Sequence, residues 1–146
     1  MVHGAYNRWQ DRFVPKGRMS VVLCRIGPVG YDLIVWEGEQ PITDAALSQK
    51  LNDITEMRDN RYERNEEPEP PTPTIADFMR VLLRRWPEDD QDGGPWKVGG
   101  GGDADGPTVH IGIIGTRAGE VVPFIALLAQ AYGLVCFDRQ TGCLMP

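Results

Sequence analysis

Between Pro73 and Pro87, six apolar residues (Ile75, Phe78, Met79, Leu82, Leu83 and Trp86) fall at i, i+3, i+4, i+7, i+8 and i+11. That spacing lines one face of an α-helix, and the face must be covered. Thr74, with Asp77 three residues on, reads as a variant capping box at the start, and Pro87 stops the helix. Arg80, Arg84 and Arg85 are left on the outer side. A partner surface is expected from YDLIVW at 31–36, a strand dense in aromatic and β-branched residues and closed by Glu37-Gly38. A chain of 146 residues holding both patterns points to one α/β domain, long enough for a core without staples.

The other segments fill in that frame. Residues 1–18 mix Arg, Asp, Gly and Pro without a period and read as a flexible extension; 19–146 form the domain, with its core in 31–146. Residues 20–26 suit a strand; the alternative expectation is that the true start of the protein is Met19 or Val29, which would make the leader foreign to the fold. Thr43 or Asp44 caps a helix reaching about Arg58, with Leu47, Leu51 and Ile54 on one face. RYERNEEPEPPTP at 61–73 is too charged and Pro-rich to pack, and reads as a solvated connection. Residues 88–107 form a long loop, acidic and then glycine-rich, around Pro95-Trp96. A strand over 108–114 leads to a helix over 117–132 that ends at Gly133, with a kink at Pro123 or a start nearer Val122. A strand at 134–138 then turns back into a short one at 143–145.

The expected fold is an α/β (α+β) two-layer sandwich. A small mixed sheet of three to five strands is covered on one face by three helices. It contains one βαβ unit over 108–138, with parallel strands and a right-handed crossover, and a C-terminal hairpin.

Charge narrows the partners. Residues 1–30 hold five basic residues and one acidic, a balance of +4, so a chain of net charge −6 leaves −10 on residues 31–146. An anionic body repels phosphate backbones and attracts basic proteins, which argues against nucleic acid. Solubility alone also accounts for such acidity. No apolar run approaches the ~18 residues of a membrane span. Three cysteines at no metal spacing fit reduced thiols, so a cytoplasmic location is expected.

Three chemical motifs are incomplete. Gly101 and Gly106 have the outer spacing of a P-loop, but Pro107 stands at the lysine position and a strand follows. Gly112, Gly115 and Gly119 have the wrong spacing for a dinucleotide site. Glu88, Asp90, Asp92 and Gly93 imitate a calcium loop whose closing glutamate is Gly99. No cofactor and no metal are expected. The remaining catalytic candidate is His110 with Cys136 on a neighbouring parallel strand, oriented by Asp103 or Asp105. The plain alternative is a half-exposed strand histidine and a buried cysteine. Carboxylate pairs such as Glu66-Glu67 lie in polar segments with nothing to separate their pKa values.

The tryptophans offer a different site. Trp36 precedes Glu37 and Glu39, and Trp96 follows the acidic run of Asp89, Asp90 and Asp92. An aromatic beside carboxylates has the composition of a hot spot for a basic partner. An aromatic plug pinning the loop to the domain would look the same. Trp86 completes a helix stripe and is read as core.

YDLIVWEG at 31–38, PTPTIADFMRVLLRRWP at 71–87, the acidic stretch ending in Pro95-Trp96 and GLVCFDRQ at 133–140 occur in an order that resembles a group of small actinobacterial-type proteins. That group has a YDLxVWEG start and a GLVCYDPQ-like end. In size, acidity and build such proteins look like immunity proteins of polymorphic toxin systems. The resemblance covers about residues 31–146 and departs at Phe137 and Arg139, where Tyr and Pro are usual. It implies a cytoplasmic inhibitor of a toxin domain and carries over no catalytic residue. The expectation is thus a non-enzymatic binding protein using Trp36, Trp96, Asp89, Asp90 and Asp92 against a basic partner. A small enzyme centred on His110 and Cys136 is the second reading, and an adaptor docking through the Pro-rich 66–73 segment the third.

Overall fold

The computed structural model describes residues 31–88, 94–97 and 102–145. Element order is β1 (Tyr31–Trp36), α1 (Asp44–Glu63), α2 (Pro73–Arg85), β2 (Asp103–Asp105), β3 (Thr108–Ile113), α3 (Ala118–Ala131), β4 (Val135–Asp138) and β5 (Cys143–Leu144). A single 3-10 turn, Gly115–Arg117, leads into α3. Among the described residues the fold is α+β: three helices on an open five-stranded sheet of order β2-β3-β1-β4-β5.

Every strand pairing described is antiparallel, where a mixed sheet is expected from sequence. The reason is the place taken by β1. It lies between β3 and β4 and runs against both. The strands flanking α3 therefore share a direction, as a βαβ unit requires, but are not neighbours.

β1 is buried on both sides, which makes the architecture three layers instead of two. Leu33 and Val35 join Val109, Ile111, Ile113 and Cys136 in a core closed by α2 and α3. Ile34 and Trp36 point the other way, with Val135 and Phe137, and meet Leu47 and Ile54 of α1. α1 thus crosses the opposite face from α2 and α3, not the same one. Strands covered on both faces read as continuous apolar runs, as YDLIVW does.

The helix ends are set by local chemistry. Thr43 Oγ1 accepts from the Ala46 N–H at 3.1 Å and starts α1. The helix runs five residues past the expected Arg58. It stops where Asn65 takes a positive φ of 55° and the Glu66 N–H returns to the Arg61 carbonyl. The N-cap of α2 is Thr72, not Thr74, and this puts Pro73 at the first helical position, where a missing N–H costs nothing. Pro123 lies inside α3, which starts at Ala118 and not near Val122; its missing N–H forgoes one backbone hydrogen bond. Gly133, at φ 70°, ends α3, and the Leu134 N–H bonds back to the Ala129 carbonyl.

Two parts of the expected 88–107 loop are ordered against the sheet. Asp105-Gly106-Pro107-Thr108 is a two-residue hairpin turn between β2 and β3, with Gly106 at φ 60°. Trp96 bridges to Ile113. Segment 66–73 is no free docking peptide, because its backbone exchanges hydrogen bonds with that turn: Gly106 N–H to the Glu69 carbonyl, and Thr72 N–H to the Gly106 carbonyl. The C-terminal hairpin is present as β4 and β5, joined through Gly142 at φ 72°.

Candidate functional site

The alternation of β3 and β4 decides the Cys–His candidate. His110 stands opposite Ile34, whereas Cys136 stands opposite Val35. Consecutive residues of β1 face opposite ways, so the two side chains lie on opposite faces of the sheet with β1 between their strands. Cys136 is not on a neighbouring strand and does not meet His110. Burial, with Asp138 adding to it, pushes its thiol up to about 12, the reverse of an activated nucleophile. A cavity of about 240 Å³ adjoins Cys136 near the end of α3, and neither histidine nor carboxylate lines it.

Trp36, Trp86 and Trp96 are core. Trp36 is 1% exposed and packs under α1. Trp96 is 8% exposed, donates Nε1–H to the Trp86 carbonyl at 2.8 Å, and meets the Trp86 ring edge-on at 6.4 Å. It is the plug that pins its segment to the domain, not an exposed anchor. Asp89, Asp90 and Asp92 lie outside the described residues. Gly106 lies in the β2–β3 turn and is followed by a strand, so it opens no helix for a phosphate cradle; Gly101 lies outside the described residues. Among the described residues, no group of His, Cys, Asp or Glu is arranged to hold a metal ion, and no helix is long and apolar enough to cross a membrane.

A two-lobed concavity lies on the second face, between α1 and β3. Its larger lobe, about 690 Å³, is floored by Ile34, His110 and Phe137, with Arg58 and Tyr62 on the helix side and Arg139 after β4. A lobe of about 280 Å³ adjoins it towards Pro68 and Pro107, and Arg58, Tyr62, Asp103 and His110 line both. β2 sets the site's edge, since Asp103 lies directly opposite His110. Arg58 reaches Asp103 at 3.0 Å, and one turn later Arg61 reaches Asp105 at 2.5 Å. The second Asp105 oxygen accepts the Glu69 N–H at 2.9 Å, and Arg61 also donates to the Glu67 carbonyl. Two arginines at helical spacing meet two aspartates at strand spacing, which clamps the C-terminal half of α1 beside the sheet.

Burial, with the Arg58 guanidinium adding to it, lowers His110 to about 4 against the raising effect of Asp103. Its imidazole is therefore neutral near pH 7. At the rim, Tyr62 is 88% exposed. No family model, curated protein or solved structure matches the chain.

The exposed aromatic that sequence reasoning missed is thus Tyr62. It stands in the RYERNEE stretch that reads as solvated connection, among Asp59, Glu63, Glu66 and Glu67. The signal was an aromatic inside a charged run, the same composition that drew attention to Trp96. From Asp44 to Glu69 the chain carries eight acidic residues against four basic, whereas α2 carries one acidic against three basic. The acidic surface is concentrated on the α1 side.

Proposed function

We propose that the protein is a non-enzymatic cytoplasmic binding protein of the immunity-inhibitor kind, which receives a basic protein partner on its α1 face. The observation that carries this reading is Tyr62, almost fully exposed at the mouth of the cleft and flanked by exposed carboxylates. An exposed ring beside carboxylates supplies a contact that gains on desolvation, and the surrounding charge steers a cationic surface towards it. The excess negative charge of residues 31–146 favours the same partner. The free thiols Cys136 and Cys143 fit a reducing compartment.

The test is hydrogen exchange on the complex with a partner captured from the native cell. Protection is expected at residues 56–67 and 103–105. Protection confined to α2 and α3 would overturn the reading.

A further inference from the structure

The outer side of α3 differs from the surfaces of the other two helices. Its buried stripe, Val121, Val122, Ile125 and Ala129, belongs to the core between the sheet and α2. The opposite stripe brings Pro123, Leu127, Gln130 and Ala131 to the outside. No charged residue stands between Glu120 and Asp138, and Asp138 is buried. A helix without a polar face is normally covered all round, yet Leu127 is 68% exposed.

A projection and a recess meet on this side. Leu127 stands out from the second half of the helix. Beside it, Ala126 and Gln130 line a hollow of about 240 Å³ that Gly38, Gln40 and Met145 close. The hollow is smaller than a typical small-molecule site, about 300–1,000 Å³, and has the size to take an apolar side chain. Among the described residues no charged side chain lines it. A knob beside a hollow is self-complementary across a twofold axis, because each copy offers its knob to the hollow of the other.

Charge selects the face that can meet its own copy. Across a twofold axis like charges come opposite one another, so the acidic α1 face and the basic α2 face each repel themselves. α3 carries one charge, Glu120, at the end away from the hollow.

We propose that two copies of the chain pair through α3, each Leu127 seated in the hollow between α3, β4 and Met145 of the other copy. The 14-residue helix offers only ~21 Å of length, so the contact falls short of the roughly 800 Å² per partner of a stable interface. The dimer is accordingly weak, with a Kd on the order of 10–100 µM. α1 lies on the opposite face of the sheet and stays open in both copies, so the pairing does not depend on a protein partner binding there.

The test is sedimentation equilibrium of the full chain at concentrations on either side of that Kd, in low and in high salt. A monomer–dimer equilibrium that stops at two copies and does not weaken with salt is expected. Leu127→Asp should weaken it roughly tenfold or more, by facing a carboxylate into the uncharged hollow, while the thermal unfolding midpoint stays where it was. Met57→Asp makes the same kind of change at a half-exposed position on α1 and should leave the equilibrium untouched. The proposal is overturned if the chain stays monomeric throughout, or if association runs beyond two copies or weakens with salt. It is equally overturned if folded Leu127→Asp dimerises like the unsubstituted chain, or if Met57→Asp is as disruptive.

Discussion

The Cys136 thiol lies in the core formed with Leu33, Val35 and Ile125, and the energy of placing a thiolate there is what raises its pKa. Iodoacetamide at pH 8 should therefore modify Cys143, which is partly exposed, at least roughly tenfold faster than Cys136 in the folded chain, as read by peptide mapping. Comparable rates would show that Cys136 is not buried in that core. The raised thiol contributes stability that is fully present below pH 9 and lost as pH rises towards 12. His110 behaves in the opposite sense. Unfolded, it takes up a proton near 6.5, and folded only near 4, so its contribution is fully present above about pH 6.5 and lost as pH falls to 4. The loss is on the order of 1–3 kcal/mol once partial exposure is allowed for. A His110→Gln variant should lack that acid-side slope in denaturant titrations, and an unchanged slope would show that His110 is not its source. Trp96→Ala removes a buried ring and a hydrogen bond to the Trp86 carbonyl, and should cost about 3–5 kcal/mol in the same measurement.

At the scale of elements, the clamp between α1 and β2 decides whether the cleft has a fixed shape. Arg61 and Asp105 are each about one-fifth exposed at the side chain, and Asp105 also holds the Glu69 N–H. Asp105→Ala leaves both partners without it and should cost roughly 1.5–3 kcal/mol by chemical denaturation. Asp77→Ala breaks the ion pair with Arg80 on the open side of α2 and should leave the denaturation midpoint where it was. A midpoint that moves equally for both would mean that the clamp is only a surface contact. β1, the apolar stripe of α2 and the C-terminal hairpin were legible in the sequence because each is a local pattern with its own period or turn. The place of β1 between β3 and β4 was not, since strand order depends on contacts far apart in the chain. One local hint existed: YDLIVW is apolar at successive positions, which a strand covered on one face has no need of. That pattern already buries Trp36. The Asp105-Gly106 hairpin signal was also present but was hidden in glycine-rich composition. Of the candidate site, the face of His110 was legible from alternation, but Asp103 and Asp105 stayed alternatives because the turn that sets Asp103 opposite His110 was not read. The exposure of Tyr62 was not, because it depends on α1 lasting to Glu63 and on where the helix lies.

For the whole molecule, the sheet divides charge as well as cores. The α1 layer is acidic and the α2 helix basic, so the molecule has a polarity across its thickness that net charge alone does not convey. A partner steered to the α1 side should associate more slowly as salt is raised, with a smaller change in dissociation rate. Stopped-flow association at increasing ionic strength reads this directly, and a salt-independent rate would argue for an apolar site elsewhere. The aromatic anchor is the part of the face with the largest expected single contribution. Tyr62 is exposed, so its removal leaves the fold intact while deleting the ring. The decisive measurement is the Kd of the captured partner for the unsubstituted chain and for Tyr62→Ala at one salt concentration. Binding through the α1 face predicts a weakening of roughly 30-fold, and a Kd unchanged within twofold would place the interaction on another surface.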